Sequence, residues 1–449
     1  VGLGLGQLVT LAGALLIAVT GVYSSGAAGL VVSSALWLPL VAIATVKVGG
    51  RTVLAWVPIA ASWRSRALVG STREFARPVT AVGLHVPGVA GDLRVIVTPT
   101  LGAALIHDRR TDTVTAIARV AGSGFTLDAP ATQSHKVDSW GRALASLGQQ
   151  RSVRRVQVLL RTVPNGEAGV RRWWRGHAAA DAPFASSVLA DLLDDAYYLT
   201  RRPEALVVLA LRSPRRGARR ISPDAAARLE QDLLALVDAL AAADLSVDEW
   251  VSPVQLSGVL RTSYDPARSP SPTGEESAGP PSIGTEEHWR YLRTDSAVHA
   301  TYWISEWPRS EVNPAFLQPL VLSPGVHRTI TLVAEPLPIA AALREIRRAK
   351  AEHAADAAQR LRIGQVEDEA TRAEVEDLVR REQELVAGHG DMRFTGLVTV
   401  TAPTLDELDA ACAATEAAAA QSLCEVRRLV GQQGLAHLAG AVPLARGVL

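Results

Sequence analysis

Two uncharged apolar runs open the chain. Leu3 to Val22 (LGLGQLVTLAGALLIAVTGV) and Leu30 to Val46 (LVVSSALWLPLVAIATV) contain no Asp, Glu, Lys or Arg. The first has the roughly 20 residues that a helix needs to cross the hydrocarbon core of a bilayer. The second is slightly short, with Lys47 placed to snorkel. Joined by the small turn YSSGAAG, they predict a transmembrane helical hairpin over 1–48. A signal peptide followed by a core helix fits less well, because the first run lacks a basic flank and the second follows too closely. The turn carries no Lys or Arg, whereas Lys47, Arg51, Arg64, Arg66, Arg73 and Arg77 lie beyond the second run. That asymmetry predicts a multi-pass membrane protein with its C-terminal region cytoplasmic. In the basic and aromatic segment 49–78, Lys47, Arg51, Trp56, Trp63, Arg64 and Arg66 form the candidate membrane-interface set, lying at the headgroup level. A soluble linker helix is the alternative there.

Beyond residue 79 short β-rich runs (LRVIV, AALIHD, TVTAIARV, RRVQVLL, ALVVLALR) alternate with helical stretches, which predicts an α+β domain over 79–264. Ser222-Pro223-Asp224 opens a helix with an N-cap and a proline at its first position, and Leu229, Leu233, Leu236, Val237 and Leu240 recur at helical spacing on its inner face. The Pro-, Ser- and Gly-rich stretch 265–287 reads as a flexible linker, and 288–449 as a second cytoplasmic α+β domain. In that domain ATYWISEW is a strand, Asn313-Pro314 starts a short helix, and HRTITLVAE is a strand, together a βαβ unit. A long charged helix from about Ile339 to Ala387 follows, with acid-before-base pairs Asp368/Arg372, Glu376/Arg380 and Asp377/Arg381. Gly364 predicts a bend or break in it. RFTGLVTVTAP is the next strand, Thr404-Leu405-Asp406-Glu407 a capping box opening another helix, and CEVRRL a last strand before a polar tail.

Composition adds a membrane bias, with 48% hydrophobic residues and a mean hydropathy of +0.14. Lys plus Arg (46) nearly balances Asp plus Glu (45), so no global field draws the chain to nucleic acid, and sequence-specific nucleic-acid binding is not expected. Cys412 and Cys424 give neither a disulfide framework nor metal spacing and read as buried thiols. The chain begins at Val1 inside the apolar run. Either a start codon was translated literally or an N-terminal piece is missing.

Chemistry is hard to find. The three lysines, Lys47, Lys136 and Lys350, precede Val48, Val137 and Ala351, so no P-loop exists in the sequence. There is no H-E-x-x-H, no paired Cys set and no G-x-S-x-G elbow. The cluster HATYWISEWP (His299–Pro308) could serve a glycosidase-like carboxylate pair built on Glu306 with Glu311 or Asp295. Strand alternation puts Trp303, Ser305 and Trp307 on one face and Tyr302, Ile304 and Glu306 on the other. Glu306 then does not share a face with the tryptophans, and Tyr302, Trp303 and Trp307 read as a structural aromatic strand. No catalytic, cofactor or metal residue is assigned.

WPRSEVNPAFLQPL, AEPLP, the segment from ADAAQRLRIGQVEDE to LDELDAACAATE, and the closing GQQGLAHLAGAVPLARG resemble an actinobacterial membrane-protein family of conjugation-type, type IV secretion-like gene clusters. More distantly, the order strand, helix, strand, long charged helix, strand, helix, strand resembles the amino-terminal domain of CagE/TrbE-type conjugation ATPases. The P-loop domain that follows it in those proteins is absent from this sequence. The resemblance implies that the membrane is a bacterial plasma membrane and the protein a non-catalytic inner-membrane scaffold, oligomeric within a complex. Its partners would be other secretion-system membrane subunits and a separate P-loop ATPase, with Arg380 and Arg381 as candidate docking residues. A membrane subunit of a type VII secretion system is the alternative, and a membrane-tethered hydrolase a more remote one.

Overall fold

The computed structural model describes residues 5–48, 51–76, 83–91, 93–164, 201–214, 221–266, 280–308, 312–322, 325–337, 339–362, 369–386 and 391–447, with 184, 186–188, 191 and 217 besides. The protein is α+β: a long apolar N-terminal helix, then a large antiparallel sheet with interspersed helices.

Sequence reading predicts two helices parted by a turn, but the apolar segment is one helical element, Leu5–Thr45. Among the described residues it is the one helix long and apolar enough to cross a membrane, with a mean hydropathy of 2.0. The YSSGAAG stretch stays helical except at Ser25 (φ −147°, ψ 20°) and Gly26 (φ 62°, ψ −139°). Gly26 reaches a positive φ that side chains resist, and the direction of the chain changes there. The two halves then lie against each other. Gln7 Nε2 donates to the Ala44 carbonyl at 2.9 Å, and a Cβ on Gly29 would overlap the Gly21 carbonyl. Small residues permit that approach.

A short pairing of β1 (Lys47–Val48) with β2 (Arg51–Thr52) leads into the helix Val53–Leu68. The remaining strands are β3 (Arg73–Phe75), β4 (Gly83–Leu84), β5 (Leu93–Val97), β6 (Ala104–Asp108), β7 (Thr113–Gly122), β8 (Val153–Pro164), β9 (Arg201–Arg212), β10 (Leu245–Trp250), β11 (Gly284–Glu287), β12 (Leu292–Arg293), β13 (Val298–Glu306), β14 (His327–Leu337), β15 (Asp391–Ala402) and β16 (Glu425–Arg428). All join one sheet in the order β3-β11-β12-β13-β15-β14-β8-β9-β7-β6-β5-β4, with β10 on β7 and β16 on β13.

That order reads the same from either end. β7, helix Pro130–Gln149, β8, β9, helix Pro223–Ala241 and β10 form a βαββαβ unit with neighbours in the order β10-β7-β9-β8. β13, helix Gln318–Leu322, β14, β15, helix Leu405–Gln421 and β16 repeat it as β16-β13-β15-β14. This is the ferredoxin-like arrangement used twice. The units meet where β14 pairs with β8 over Thr329↔Arg161 to Ala334↔Val156. A strand hairpin precedes each unit (β5-β6, β11-β12), and a further helix follows each (Pro253–Tyr264, Gln433–Gly440). The stretch 265–287 falls between the units, although a single sheet runs through both. Its residues 267–279 lie outside the described residues, and Gly284–Glu287 is β11.

ALVVLALR shows why the pattern is a continuous apolar run. In β9 Val207, Leu209 and Leu211 pack under the helices Pro130–Gln149 and Pro223–Ala241, while Leu206, Val208 and Ala210 face Leu256, Val259, Leu260 and the C-terminal Val442 and Leu444. A strand covered on both faces has no polar side to alternate with. Expected element starts form: Ser222 Oγ accepts from Ala225 N, and Thr404 accepts from Glu407 N. In place of one long charged helix there are two, Ile339–Arg362 and Glu369–Val386, which fold against each other through Lys350 with Glu382 and through Arg360 Nη1 donating to Thr371 Oγ1 at 3.3 Å; Gly364, where a bend or break is expected, lies outside the described residues. The tail is not the polar extension expected. Helix Gln433–Gly440 and Val442, Leu444 and Ala445 are buried in the core, because Gln157, Thr331 and Thr399 of the sheet give this segment polar partners and close contact.

One buried ionic network ties β7, β8 and β9 to the helix Pro253–Tyr264. Glu204 accepts from Arg161 Nε at 2.6 Å and Arg119 Nε at 2.8 Å, and Arg161 Nη1 donates to the Val259 carbonyl at 2.9 Å. Burial pushes the Glu204 carboxyl up, but Arg161 and Arg119 hold it below the usual glutamate range. Arg161→Met leaves the buried Glu204 carboxylate with Arg119 as its one cation among the described residues and should cost about 3 kcal/mol, whereas Arg161→Met with Glu204→Met should cost less than the sum of the single variants. Urea unfolding midpoints of the three variants measure this coupling.

Candidate functional site

The helix Val53–Leu68 carries most of the membrane-interface set. Trp56, Ile59, Trp63 and Arg66 recur at helical spacing, and all are half-buried. Trp289, from the turn between β11 and β12, receives them. Its ring lies 6.5 Å from that of Trp56 and 5.4 Å from that of Trp63, the latter edge-on. Arg66 Nη1 donates to Glu287 Oε2 at 2.5 Å, and Nη2 donates to the Gly431 carbonyl at 2.6 Å. Gly431 N donates to the Trp289 carbonyl at 2.7 Å. Gly431 has φ +70°, and a Cβ there would sit 2.6 Å from the Trp289 ring and 3.0 Å from Ile59. A glycine is required on both counts.

This clamp fastens the apolar N-terminus to one end of the sheet. β3 continues it, with Ala76 N donating to the Ile283 carbonyl and Glu287 N to the Thr72 carbonyl, at 2.8 and 2.7 Å. Arg64 is exposed on the opposite face of the helix, Lys47 is exposed in β1, and Arg51 lies in β2. Nothing in the spacing near Trp56 points to Trp289 or Glu287. The only sign was that HWRY is an aromatic cluster outside any strand alternation.

The aromatic strand divides differently from simple alternation. A register shift in the β13–β16 pairing between Ile304 and Glu306 inserts a bulge, which moves later residues to the other face. Trp307 therefore joins Tyr302 and Ile304 in the core under helix Leu405–Gln421, stacks edge-on with Phe394 at 5.8 Å, and crosses Gly396 beside Ile304. Trp303 is half-buried on the other face. Tyr302 is 1% exposed, and its hydroxyl donates to Glu416 Oε1 at 2.8 Å. Burial pushes the Tyr302 phenol and the Cys412 thiol up, so neither is poised for acid–base or nucleophilic work. Glu306 is exposed at the end of the strand. Cys412 and Cys424 are both buried and free. Among the described residues no group of three or more His, Cys, Asp or Glu is arranged to hold a metal ion.

Arg380 and Arg381 lie on the second helix of the charged pair. Arg380 is exposed and pairs with Asp377, whereas Arg381 turns inward to Asp391 at the start of β15. The i,i+4 pairing expected from spacing gives way to i,i+3 contacts, Arg372 with Glu369 at 3.0 Å among them. Asp368 lies outside the described residues.

No protein-family model matches the chain, and no curated protein matches it.

Two buried histidines meet beneath the clamp. His299 and His437 rings lie 4.4 Å apart, with Tyr264 5.1 Å from His437. His299 Nδ1 faces Thr401 Oγ1 at 2.9 Å and Nε2 faces Thr294 Oγ1 at 3.0 Å. Burial lowers His299 to about 4 and, with His299 adjacent, lowers His437 well below its ordinary value. Both are neutral in the folded protein, and the unfolded chain binds protons first. Stability is complete above about pH 6.5 and falls by about 1.4 kcal/mol per pH unit per histidine as pH drops toward 4. Urea midpoints at pH 7 and pH 5 should show this, and His437→Leu should reduce the slope. A second expectation concerns the clamp. Trp289→Ala should make the segment after Leu68 more accessible to protease while the core helix–sheet packing survives, read by cleavage rate against unfolding temperature.

Proposed function

We propose that the protein is a membrane-anchored scaffold of a conjugation-like secretion apparatus, holding a separate P-loop ATPase at the cytoplasmic face. The observation that carries this reading is the clamp: Trp56, Trp63 and Arg66 bind the helix that follows the apolar segment to the end of the sheet, so that a two-unit platform begins directly beside its anchor. Each half of the hairpin, at 1.5 Å per residue, is about 30 Å long, close to the hydrocarbon thickness, which supports two crossings of the bilayer in this reading. The basic residues after it put the sheet on the cytoplasmic side.

No lysine of this sequence stands where a P-loop requires one, and the reading assigns the motor to a separate ATPase. The charged helical pair Ile339–Arg362 and Glu369–Val386 supplies the docking surface, with Arg380 exposed on it. The sequence resemblance to conjugation-type membrane proteins favours this assignment over a type VII subunit.

A reporter fused after Leu449 should behave as cytoplasmic, and one inserted at Ser25 as exported. Detergent-solubilised protein should co-purify with a P-loop ATPase. Arg380→Glu is the clean docking probe, because it breaks an exposed pair worth about 1 kcal/mol or less, whereas Arg381→Glu also breaks the contact to Asp391. Arg380→Glu should weaken ATPase recovery while leaving the unfolding temperature nearly unchanged. An inventory of crosslinked membranes that contains this chain but no ATPase would refute the reading.

A further inference from the structure

Near the seam between the two units a cleft of about 370 Å³ opens on the face that carries the C-terminal helix. Four arginines reach it from four separate elements: Arg110 from the turn between β6 and β7, Arg155 from β8, Arg393 from β15, and Arg446 from the C-terminal extension. Glu335 of β14 is the one carboxylate lining it among the described residues. Arg155 pairs with Glu335, Arg446 with Asp108, and Arg393 with Glu345 at 3.0 Å. Arg110 is exposed and pairs with no carboxylate among the described residues.

Structural ion pairing accounts for three of these side chains singly. It does not account for their convergence. Each recorded contact engages one guanidinium nitrogen, and a guanidinium has five N–H donors in a planar fork. Like charges gathered in a half-enclosed cavity repel one another, and its low-dielectric walls strengthen both that repulsion and the pull on a counter-ion. The backbone leaves the cleft open at one point in particular: a Cβ on Gly447 would press within 3.3 Å of the Arg155 guanidinium carbon and 3.1 Å of Glu335. Val89 and Leu438 supply an apolar wall.

We propose that this cleft binds a phosphate-bearing anion. The phosphate engages the forks of Arg110, Arg155, Arg393 and Arg446, which match tetrahedral oxyanions bidentately. The less polar remainder of the ligand lies on Val89 and Leu438. With the contacts to Glu335, Asp108 and Glu345 each using one nitrogen, the N–H groups left on four guanidinium forks favour a group with several oxygens over a single carboxylate, and the volume is that of a small-molecule site. The phosphate belongs either to a soluble ester or to a lipid headgroup. The scaffold role and this site stand independently.

The test uses the full chain in discs of zwitterionic lipid, titrated with inorganic pyrophosphate and followed by calorimetry and thermal unfolding. Saturable binding is expected. The double variant Arg110→Gln with Arg393→Gln, both exposed positions, should raise Kd by about tenfold or more, and Gly447→Leu should do the same by filling the cleft. Arg380→Gln, which removes one charge elsewhere, should not. If pyrophosphate does not bind, but discs containing phosphatidic acid raise the unfolding temperature of the wild type and not of the double variant, the ligand is a lipid headgroup. The proposal is overturned if neither probe gives a response that depends on Arg110 and Arg393, or if Arg380→Gln weakens binding equally.

Discussion

Everything in the sheet depends on one strand pairing, β8 with β14. Each βαββαβ unit ends on one of these strands, so separating them would expose two unpaired edges in the middle of the molecule. The seam is closed from above as well. Gln157 of β8, fully buried, donates to the carbonyls of Ala439 and Val442 at 3.0 and 3.2 Å and accepts from Ala445 N at 2.7 Å. On the other side of the seam, Thr331 of β14 donates to the Gly440 carbonyl at 2.7 Å. A single C-terminal segment is thus hydrogen-bonded to both units across their junction. Buried polar side chains in such a place are stabilising because each finds a partner, and removing either partner would leave the other stranded.

The same logic governs the clamp at the far end. Glu287 is buried and needs a cation, Trp289 needs an aromatic or aliphatic cover, and Gly431 can turn beneath it only without a side chain. The helix Val53–Leu68 satisfies all three with one face. Its placement follows from the chemistry of the sheet end. The helix that follows the apolar segment is thereby fixed to the end of the sheet by packing and an ion pair.

Much of this fold was legible because its signals are local. The strands around ALVVLALR and TVTAIARV and the Ser222 and Thr404 caps each follow from a few adjacent residues. What could not be read depends on distant ones. Palindromic strand order is a property of pairing, and the two units share no sequence pattern that announces it. Arg66 and Glu287 are 221 positions apart, so the clamp had no spacing to betray it. A bulge after Ile304 defeated the period-2 assignment of Trp307, since one inserted residue inverts every later side chain. The tail after Arg428 is mostly Leu, Ala, Val and Gly, and even its Gln433 and His437 are buried inside, with Gln433 accepting from Thr301 N at 2.9 Å; the partners that bury them lie far away in sequence.

Two units of one topology also make their differences informative. A ferredoxin-like unit is a scaffold on which many activities are carried, and topology by itself assigns none. What one unit has and its counterpart lacks is where specific work is to be sought. The β11–β12 turn presents Trp289 and Glu287 to the N-terminal helix, while the matching β5–β6 turn instead gives the backbone amides of Thr100 and Leu101 to Glu230 at 3.0 and 2.5 Å. Between β14 and β15 the second unit carries a charged helical pair, while most of the matching stretch 165–200 lies outside the described residues. The arginine cleft draws Arg110 and Arg155 from one unit and Arg393 and Arg446 from the other, so it exists only because the units are joined. A ligand held there would bridge the seam, and its binding energy would add to the strand pairing on which both halves rely.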